Sequence, residues 1–353
     1  MITHVYVIDC GQDMDQGKRR MQQPVIAIIS TGGTIARRSM DPRDTVDYAE
    51  IGASIGGSDL LAALPQAVRA RFVVRDIPFS SCDSVQMTLA RWFDLASVVT
   101  QAIADQPDLG GVVITHGTSS LEEAACFLDL VLDVPCPVVI VGAQRPASAI
   151  SADGPANLYA ALLVASCPDA AGRGVLVVAN NEIHAAQEVT KASTYQLETF
   201  RSPDFGPLGM IEANRVFFGR AAGYRRHVGW PVGYGSGGEI PRVDISYSHA
   251  GADGVGIRAF VAAGARGIIS AGMLPGMCTP AENVALDEAV ARGVVVVQAS
   301  SGYCGGVVRR QELCQRGILA AGHMRPRQAR ILLALALMAG ADGDAMQALY
   351  DMP

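Results

Sequence analysis

The sequence predicts an α/β protein with two domains, each built on a parallel sheet. Short runs rich in β-branched residues alternate with stretches of helical periodicity, which is the pattern of βα units. Half of the 353 residues are apolar and 38 are glycine, so the chain can bury a sizeable core between many tight turns. A glycine- and proline-rich stretch at residues 219–241 interrupts the alternation once. We therefore expect a larger N-terminal domain and a smaller C-terminal one.

The first domain, residues 24–218, contains five predicted strands separated by helices. Because the strands are apolar throughout, we expect helices to cover both faces of their sheet. The predicted strands are residues 25–30, 73–77, 111–115, 138–142 and 175–179. The predicted helices are residues 58–64, 89–105, 121–132 and 157–165. After residue 215 the pattern stops, and residues 219–241 have the composition of a linker.

The second domain, residues 242–353, repeats the alternation on a smaller scale. Its predicted strands are residues 243–247, 267–270 and 294–299, and its predicted helices are residues 255–263, 281–292 and 326–339. The linker contains GYGSGG at residues 233–238, which fits the dinucleotide-binding pattern GxGxxG. This segment follows a proline and precedes Glu-Ile-Pro rather than a helix, so we interpret it as linker.

Composition and charge exclude several classes of partner. The longest apolar run, residues 331–339, is about half the ~20 residues that a membrane-spanning helix needs. The formal net charge is −6 and the only basic block is residues 18–20, which argues against nucleic acid binding. The eight cysteines form no CxxC pair and no histidine lies at zinc spacing, so we predict no metal site, and no organic cofactor is implied. Residues 1–23 lack the apolar segment of a signal peptide, and we expect a disordered extension on a cytoplasmic protein.

The loop after the first strand, STGGTIA at residues 30–36, carries hydroxyl groups beside two glycines. In open α/β sheets, ligands bind beyond the carboxyl ends of the strands. A phosphate-binding Walker loop would continue with Gly-Lys-Ser or Gly-Lys-Thr, but residues 36–38 read Ala-Arg-Arg. A structural turn explains Gly32 and Gly33 but not two threonines at the strand exit. The structural and the functional interpretation therefore both stay open.

The exit of the third strand, THGTSSLEE at residues 115–123, brings hydroxyls, a histidine and two carboxylates into one strand-to-helix turn. Glu122 and Glu123 fall in the first helical turn, where we interpret them as partners of the helix dipole. His116 fits a neutral histidine hydrogen-bonded within the turn better than a general base. Lys191 follows the fifth strand and is either a solvated lysine or one that takes a proton from neighbouring hydroxyls.

Five segments of the sequence occur in a fixed order: TGGTIA (31–36), THGT (115–118), VGAQRP (141–146), SADGPANLYAA (151–161) and VTK (189–191). Together they resemble the bacterial-type L-asparaginase/glutaminase family of amidohydrolases, and the similarity runs from about residue 25 to residue 349. The resemblance implies a larger N-terminal flavodoxin-like parallel-sheet domain and a smaller C-terminal α/β domain. It also implies self-association, usually as a homotetramer built from two dimers, with each active site completed by a neighbouring subunit.

The resemblance assigns four residues to catalysis. Thr34 is similar to the nucleophile that attacks the side-chain amide and forms an acyl-enzyme. Tyr48 is similar to the tyrosine that orients this threonine. Thr118 and Lys191 resemble the second hydroxyl and its base, which activate a nucleophile or a water molecule.

Substrate-binding residues are also implied by the resemblance. Ser84 aligns with the serine that binds the α-carboxylate of the substrate. The backbone N–H groups of Thr118 and Ala143 are candidates for holding the oxyanion. Gly33 and Gly117 make the tight turns that bring these hydroxyl and N–H groups together.

Two positions depart from the family pattern at the amino-acid end of the substrate. Ser119 stands where the family has the aspartate that holds the α-ammonium, and Val85 stands where it has a glutamine. A neutral hydroxyl does not offset an ammonium removed from water, so we expect asparagine binding to be weakened by ~10–100-fold. The acidic residue that the family donates across the dimer has no secure match, and Glu312 is the nearest candidate.

These departures favour a small carboxylate-bearing amide that lacks the α-ammonium or carries it elsewhere. An N-substituted amide, a dicarboxylic monoamide or a lactam would fit, and its hydrolysis would release ammonia or an amine. Ordinary L-asparaginase activity, which converts L-asparagine to L-aspartate and ammonia, is one alternative. An inactive homologue that binds a small molecule is another, although the joint presence of Thr34, Tyr48, Thr118 and Lys191 argues against it.

Overall fold

A computed structural model describes residues 23–48, 53–223, 225–230 and 239–351. The predicted N-terminal extension and the GYGSGG segment lie outside these ranges, apart from residue 23. The chain divides into two compact units: residues up to 128 with residues 133–222, and residues 129–132 with residues from 223 onward. None of the helices within the described ranges is long and apolar enough to cross a membrane.

The described part of the first unit contains a large mixed sheet, two short two-stranded sheets and several helices. Its strands are β1 (Val25–Gly32), β2 (Arg37–Arg38), β3 (Ala53–Ser54), β4 (Val73–Cys82), β5 (Gly111–Thr115), β6 (Val138–Val141), β7 (Val175–Ala179), β8 (Glu182–Ala185), β9 (Thr190–Lys191), β10 (Phe200–Arg201), β11 (Gly209–Glu212) and β12 (Arg215–Phe218). Its helices are α1 (Gly57–Ala62), α2 (Gln66–Arg69), α3 (Leu89–Asp105), α4 (Leu121–Val131) and α5 (Gly154–Ala165). All five predicted strands and all four predicted helices of this domain are therefore confirmed.

The main sheet has eight strands in the order β12-β11-β8-β7-β6-β5-β1-β4. The run from β4 to β7 is parallel. Numbered along the chain, these five strands lie in the order 2-1-3-4-5, which is the flavodoxin-like order. The flavodoxin-like fold of this domain is thus confirmed.

Three strands that the sequence analysis did not predict, β8, β11 and β12, extend this sheet and pair in antiparallel fashion. The hairpin between β7 and β8 turns at Asn180 and Asn181, whose φ angles are 50° and 62°. Two consecutive residues with positive φ make the type I′ turn that suits a two-residue hairpin. Asparagine tolerates this conformation, so the Asn-Asn pair is the signal that the sequence carried for it.

Burial within the sheet follows strand position. Residues 26–29 of β1, which lies between β5 and the edge strand β4, are completely buried. Alternate strand residues such as Ile26, Ile28 and Val113 pack in one cluster with α5. The expectation of burial on both faces is wrong for β4, which is an edge strand with Val73 46% exposed.

The second unit carries a smaller parallel sheet. Its strands lie in the order β13 (Val243–Tyr247), β14 (Gly267–Gly272), β15 (Val295–Ser300) and β16 (Leu319–Ala320). Its helices are α6 (Val255–Ala262), α7 (Pro280–Ala291), α8 (Gln311–Gln315), α9 (Pro326–Met338) and α10 (Gly343–Asp351). The predicted elements are confirmed, and the smaller C-terminal α/β domain with them.

Candidate active site

The site forms where two strand-exit loops meet, one after β1 and one after β5. These strands are neighbours at the point where the strand order reverses, which is where open α/β sheets bind ligands. The loops approach so closely that a Cβ on Gly33 would lie 2.2 Å from the Cα of Gly117. Gly33 also has a φ of 84°, a conformation that other residues rarely adopt. Glycine at position 33 is therefore required both by the turn and by the contact.

A cavity of about 210 Å³ opens beside this contact. It is lined by Gly33, Thr34, Tyr48, Asp83, Ser84, Val85, Gly117, Thr118 and Ser119. Of these residues, the sequence analysis singled out all but Asp83. The fold thus brings together Tyr48, from the segment between β2 and β3, and residues that follow β1, β4 and β5, and these residues lie up to 86 positions apart in the chain.

Thr34 and Tyr48 form the first hydroxyl pair of the cavity. The Thr34 Oγ1 and Tyr48 Oη atoms are 2.7 Å apart, so one hydroxyl donates to the other. Thr34 opens the short 3₁₀ helix that follows Gly33 at the end of β1. Both side chains are half-buried, which leaves the threonine oxygen accessible from the cavity.

Thr118 and Lys191 form a second pair. Lys191 Nζ lies 2.8 Å from Thr118 Oγ1 and, in its charged form, donates to it. Lys191 does not itself line the cavity. Its connection to the cavity is the hydrogen bond to Thr118, a lining residue that is 5% exposed. β9 carries the lysine and pairs with β10, where Lys191 lies opposite Phe200.

Glu122 has contacts that sequence reasoning missed. It lies in the first turn of α4, as expected for a partner of the helix dipole, but its side chain is buried. Its Oε2 accepts hydrogen bonds from Thr190 Oγ1 at 2.8 Å and from the backbone N–H of Lys191 at 2.6 Å. These partners lie 68 and 69 positions away, so no local pattern in the sequence indicates them.

Asp83 is the second residue that sequence reasoning missed. Its Oδ1 accepts a hydrogen bond from Arg37 Nη2 at 3.0 Å, and the two side chains form an ion pair. Asp83 also caps the short 3₁₀ helix that begins at Ser84, together with Gln86. The Asp-Ser-x-Gln pattern of a capping box was the available signal for a fixed carboxylate at this position.

His116 agrees with the interpretation of a neutral histidine within the turn. Its ring is completely buried and its Nδ1 bonds the Gly117 carbonyl at 2.8 Å. Burial lowers the pKa of His116 to about 4, partly offset by this hydrogen bond, so the ring is neutral near pH 7.

Two expected site residues are not among those that line the cavity. Ala143 is buried, and the role of its backbone N–H as an oxyanion donor stays a prediction. Glu312 lies in α8 of the second unit, where its carboxylate is 3.8 Å from Arg316. Within the described residues, no group of three or more histidine, cysteine or acidic side chains is arranged to hold a metal ion.

The fold and the cavity together define a class of protein: a flavodoxin-like α/β enzyme whose hydroxyl-rich site lies where the strand order of the sheet reverses. The model of the N-terminal asparaginase domain matches residues 25–223, and that of the glutaminase/asparaginase C-terminal domain matches residues 242–350. The chain therefore belongs to the asparaginase/glutaminase family of amidohydrolases, which act on carbon–nitrogen bonds in linear amides.

Individual relatives are similar over most of their length. L-asparaginase 2 of Bacillus subtilis (strain 168) is 36% identical over 334 residues, which cover 93% of this chain and 86% of that protein. L-asparaginase 2 of Escherichia coli (strain K12) is 35% identical over 335 residues, which cover 93% of each. The crystal structure of a probable cytoplasmic L-asparaginase from Campylobacter jejuni superposes with a TM-score of 0.86 at 34% identity, covering 94% of this chain and all of that one.

Proposed function

We propose that this enzyme hydrolyses a small carboxylate-bearing amide through an acyl-enzyme formed on Thr34. The observation that carries the proposal is the placement of two activated hydroxyl pairs on one cavity, Thr34 with Tyr48 and Thr118 with Lys191. A hydroxyl next to a basic group is the usual arrangement for a nucleophile that is weak on its own.

In the first step, Thr34 Oγ1 bonds to the carbonyl carbon of the amide and gives up its proton towards Tyr48. Tyr48 passes its own hydroxyl proton on to the amide nitrogen. The carbon–nitrogen bond then breaks, and the nitrogen leaves with this proton as ammonia or an amine. In the second step, water attacks the resulting ester and passes a proton through Thr118 to Lys191 in its uncharged form. The bond between the carbonyl carbon and Thr34 Oγ1 then breaks, and the proton held by Lys191 is returned to Thr34 Oγ1. The products are a free carboxylic acid and a regenerated Thr34.

Charge in the cavity supports an amide without an α-ammonium. Asp83 is the only carboxylate among the described residues that line the cavity, and Arg37 already pairs with it. Ser119 and Val85, at the amino-acid end, are uncharged. An ammonium placed here would lose its hydration without gaining an unpaired negative partner, which is costly. A dicarboxylic monoamide such as succinamate fits this charge pattern.

L-Asparagine is the second candidate substrate. The relatives from Bacillus subtilis and Escherichia coli both carry the name L-asparaginase. Asp83 lies on the cavity, so its carboxylate offers an ammonium a partner that competes with Arg37.

The test compares hydrolysis of asparagine, glutamine, succinamate and malonamate by the wild-type enzyme and by Ser119→Asp. We expect the two monoamides to have higher kcat/KM than asparagine, and Ser119→Asp to raise kcat/KM for asparagine by ~10–100-fold. Efficient wild-type turnover of asparagine, with no gain from Ser119→Asp, would establish the second candidate instead.

A Thr34→Ala variant tests the nucleophile separately. Its product release should fall to the uncatalysed level, because no acyl-enzyme forms without the hydroxyl. If Thr34→Ala released product as fast as the wild type, Thr34 would not be the nucleophile. If neither protein turned over any amide while both bound one, the inactive small-molecule-binding homologue would be the correct description.

A further inference from the structure

We infer that Glu122 is a positioning residue that places Lys191 against Thr118. The inference rests on the proposed pairing of Thr118 and Lys191 in catalysis. Glu122 is buried, and it belongs to neither of the two hydroxyl pairs, Thr34 with Tyr48 and Thr118 with Lys191.

Lys191 is bonded at both ends to one short segment of the chain. Its Nζ bonds the hydroxyl of Thr118, and its backbone N–H bonds Oε2 of Glu122, four residues further along. Thr118 precedes α4 and Glu122 lies in its first turn, so both anchor points belong to the same loop-to-helix turn. A shift of β9 relative to this turn would therefore strain two bonds at once.

The strand that carries Lys191 contributes few hydrogen bonds of its own. β9 is two residues long and pairs with β10, which is equally short. Glu122 adds two bonds to this strand, from Thr190 Oγ1 and from Lys191 N, both to the same oxygen. The carboxylate thus ties both residues of β9 to the start of α4.

The burial of Glu122 indicates that the contact is specific. The residue is 5% exposed, and a carboxyl group that far from water needs hydrogen-bond donors. Thr190 Oγ1 and the Lys191 N–H are two such donors. Where the Lys191 Nζ lies depends on the position of the Lys191 backbone, and Glu122 bonds the N–H of that backbone.

The test separates the position of the acceptor oxygen from its charge. Glu122→Gln keeps a carbonyl oxygen at the same distance from the backbone but removes the charge. Glu122→Asp keeps the charge but withdraws the oxygens by about 1.5 Å, one carbon–carbon bond. The measurement is kcat and KM per folded enzyme with the best amide substrate, together with the melting temperature.

A positioning role predicts that Glu122→Asp lowers kcat by ~10–100-fold and changes KM less than about threefold, because a shift of about 1 Å misplaces the base without touching the substrate. Glu122→Gln should recover most of that loss. The matched control is Glu123→Asp, which makes the same change one position along α4 and should leave kcat within about threefold.

The inference is overturned if Glu122→Asp turns over at the wild-type rate, or if Glu122→Gln falls as far as Glu122→Asp. A loss of equal size in Glu123→Asp would also overturn it, since the effect would then belong to the packing of α4. Failure of the proposed function looks different, because the wild-type enzyme itself would then hydrolyse no amide.

Discussion

Tyr48 is the residue whose hydroxyl forms a hydrogen bond with Thr34 in the cavity. Tyr48→Phe removes one oxygen and leaves the ring in place, so the 2.7 Å contact with Thr34 Oγ1 is lost while packing is kept. We expect kcat to fall by ~10²–10⁴-fold, the usual contribution of a positioned proton-transfer group. The melting temperature should change little because Tyr48 is half-buried. Amide turnover and thermal unfolding of the two proteins check this, and an unchanged kcat would remove Tyr48 from the mechanism.

His116 makes stability depend on pH in a defined window. Its pKa is lowered from 6.5 to about 4 in the folded protein, so between these values the unfolded chain binds a proton that the folded chain does not. Stability is therefore full above pH 6.5, falls as the pH drops from 6.5 to about 4, and loses roughly 3 kcal/mol over that range.

His116→Gln tests this window, because glutamine does not titrate. Urea unfolding of both proteins from pH 7 to pH 4 gives the free energy of unfolding at each pH. The difference between the two curves should shift in favour of the variant as the pH falls, since the losses from other groups are common to both. Parallel curves would mean that His116 titrates alike in the folded and unfolded chains.

At the level of residues, the sequence predicted those that sit in ordered motifs and missed those whose partners are distant. Thr34, Ser84 and Thr118 follow strand exits, and the sheet brings such exits together by its topology. Asp83 and Glu122 owe their contacts to Arg37 and Lys191, which lie 46 and 69 positions away. Pairings of that kind depend on the packed fold, and a local pattern does not encode them.

At the level of elements, the contact between the β1 and β5 loops predicts the effect of adding one methyl group. In Gly33→Ala the new Cβ would lie 2.2 Å from the Gly117 Cα, so the two loops must separate. We expect a loss of a few kcal/mol in the free energy of unfolding and a large loss of amide turnover.

Gly172→Ala is the matched control for this change. Gly172 also has a positive φ, 74° against 84° for Gly33, but no atom lies within 4 Å of its added Cβ. It should therefore cost only the strain of the left-handed conformation, about 1–2 kcal/mol, and leave turnover intact. Equal losses in the two variants would show that backbone conformation, rather than the contact between loops, limits position 33.

The longer a helix or strand is, and the more regular its pattern of apolar residues, the better the sequence predicted it. The parallel strands and the helices α3 and α5 have strong periodic or β-branched sequences, and their ends fell within a few residues of expectation. Strands such as β11 and β16 have two to four residues, too few for a period to emerge. The burial of β4 was misjudged because an apolar strand sequence does not reveal whether a neighbour lies on both sides.

At the level of the whole molecule, we propose that the enzyme self-associates and that Glu312 serves the site of a neighbouring subunit. Co-expression of Thr34→Ala and Glu312→Ala chains tests both claims, provided that each variant alone is inactive. Half of randomly paired dimers are hybrids with one intact site of two, so about a quarter of wild-type activity should return.

Failure of the two variants to complement each other would place Glu312 in its own subunit or outside catalysis. A Glu312→Ala enzyme that is active on its own would lead to the same conclusion. Sedimentation of the wild-type protein reports the oligomeric state independently of activity. A monomer would contradict the proposal directly.

The two-unit organisation was predictable because composition changes sharply once along the chain, between residues 219 and 241. Oligomeric state was not, because association depends on surface shape and on which apolar side chains cluster outside the core. The amino-acid composition reveals neither the shape of the surface nor where apolar side chains cluster on it.

Val85 lies on the cavity with 76% of its surface exposed, so almost nothing in the folded core depends on it. Most residues that contact a substrate also pack against other side chains, so substituting them lowers the stability of the folded protein. During evolution, single substitutions at position 85 would therefore cost little stability. Each of them could change which substrates the cavity accepts. Directed evolution of this enzyme towards other amides would therefore do well to begin with full randomisation at position 85.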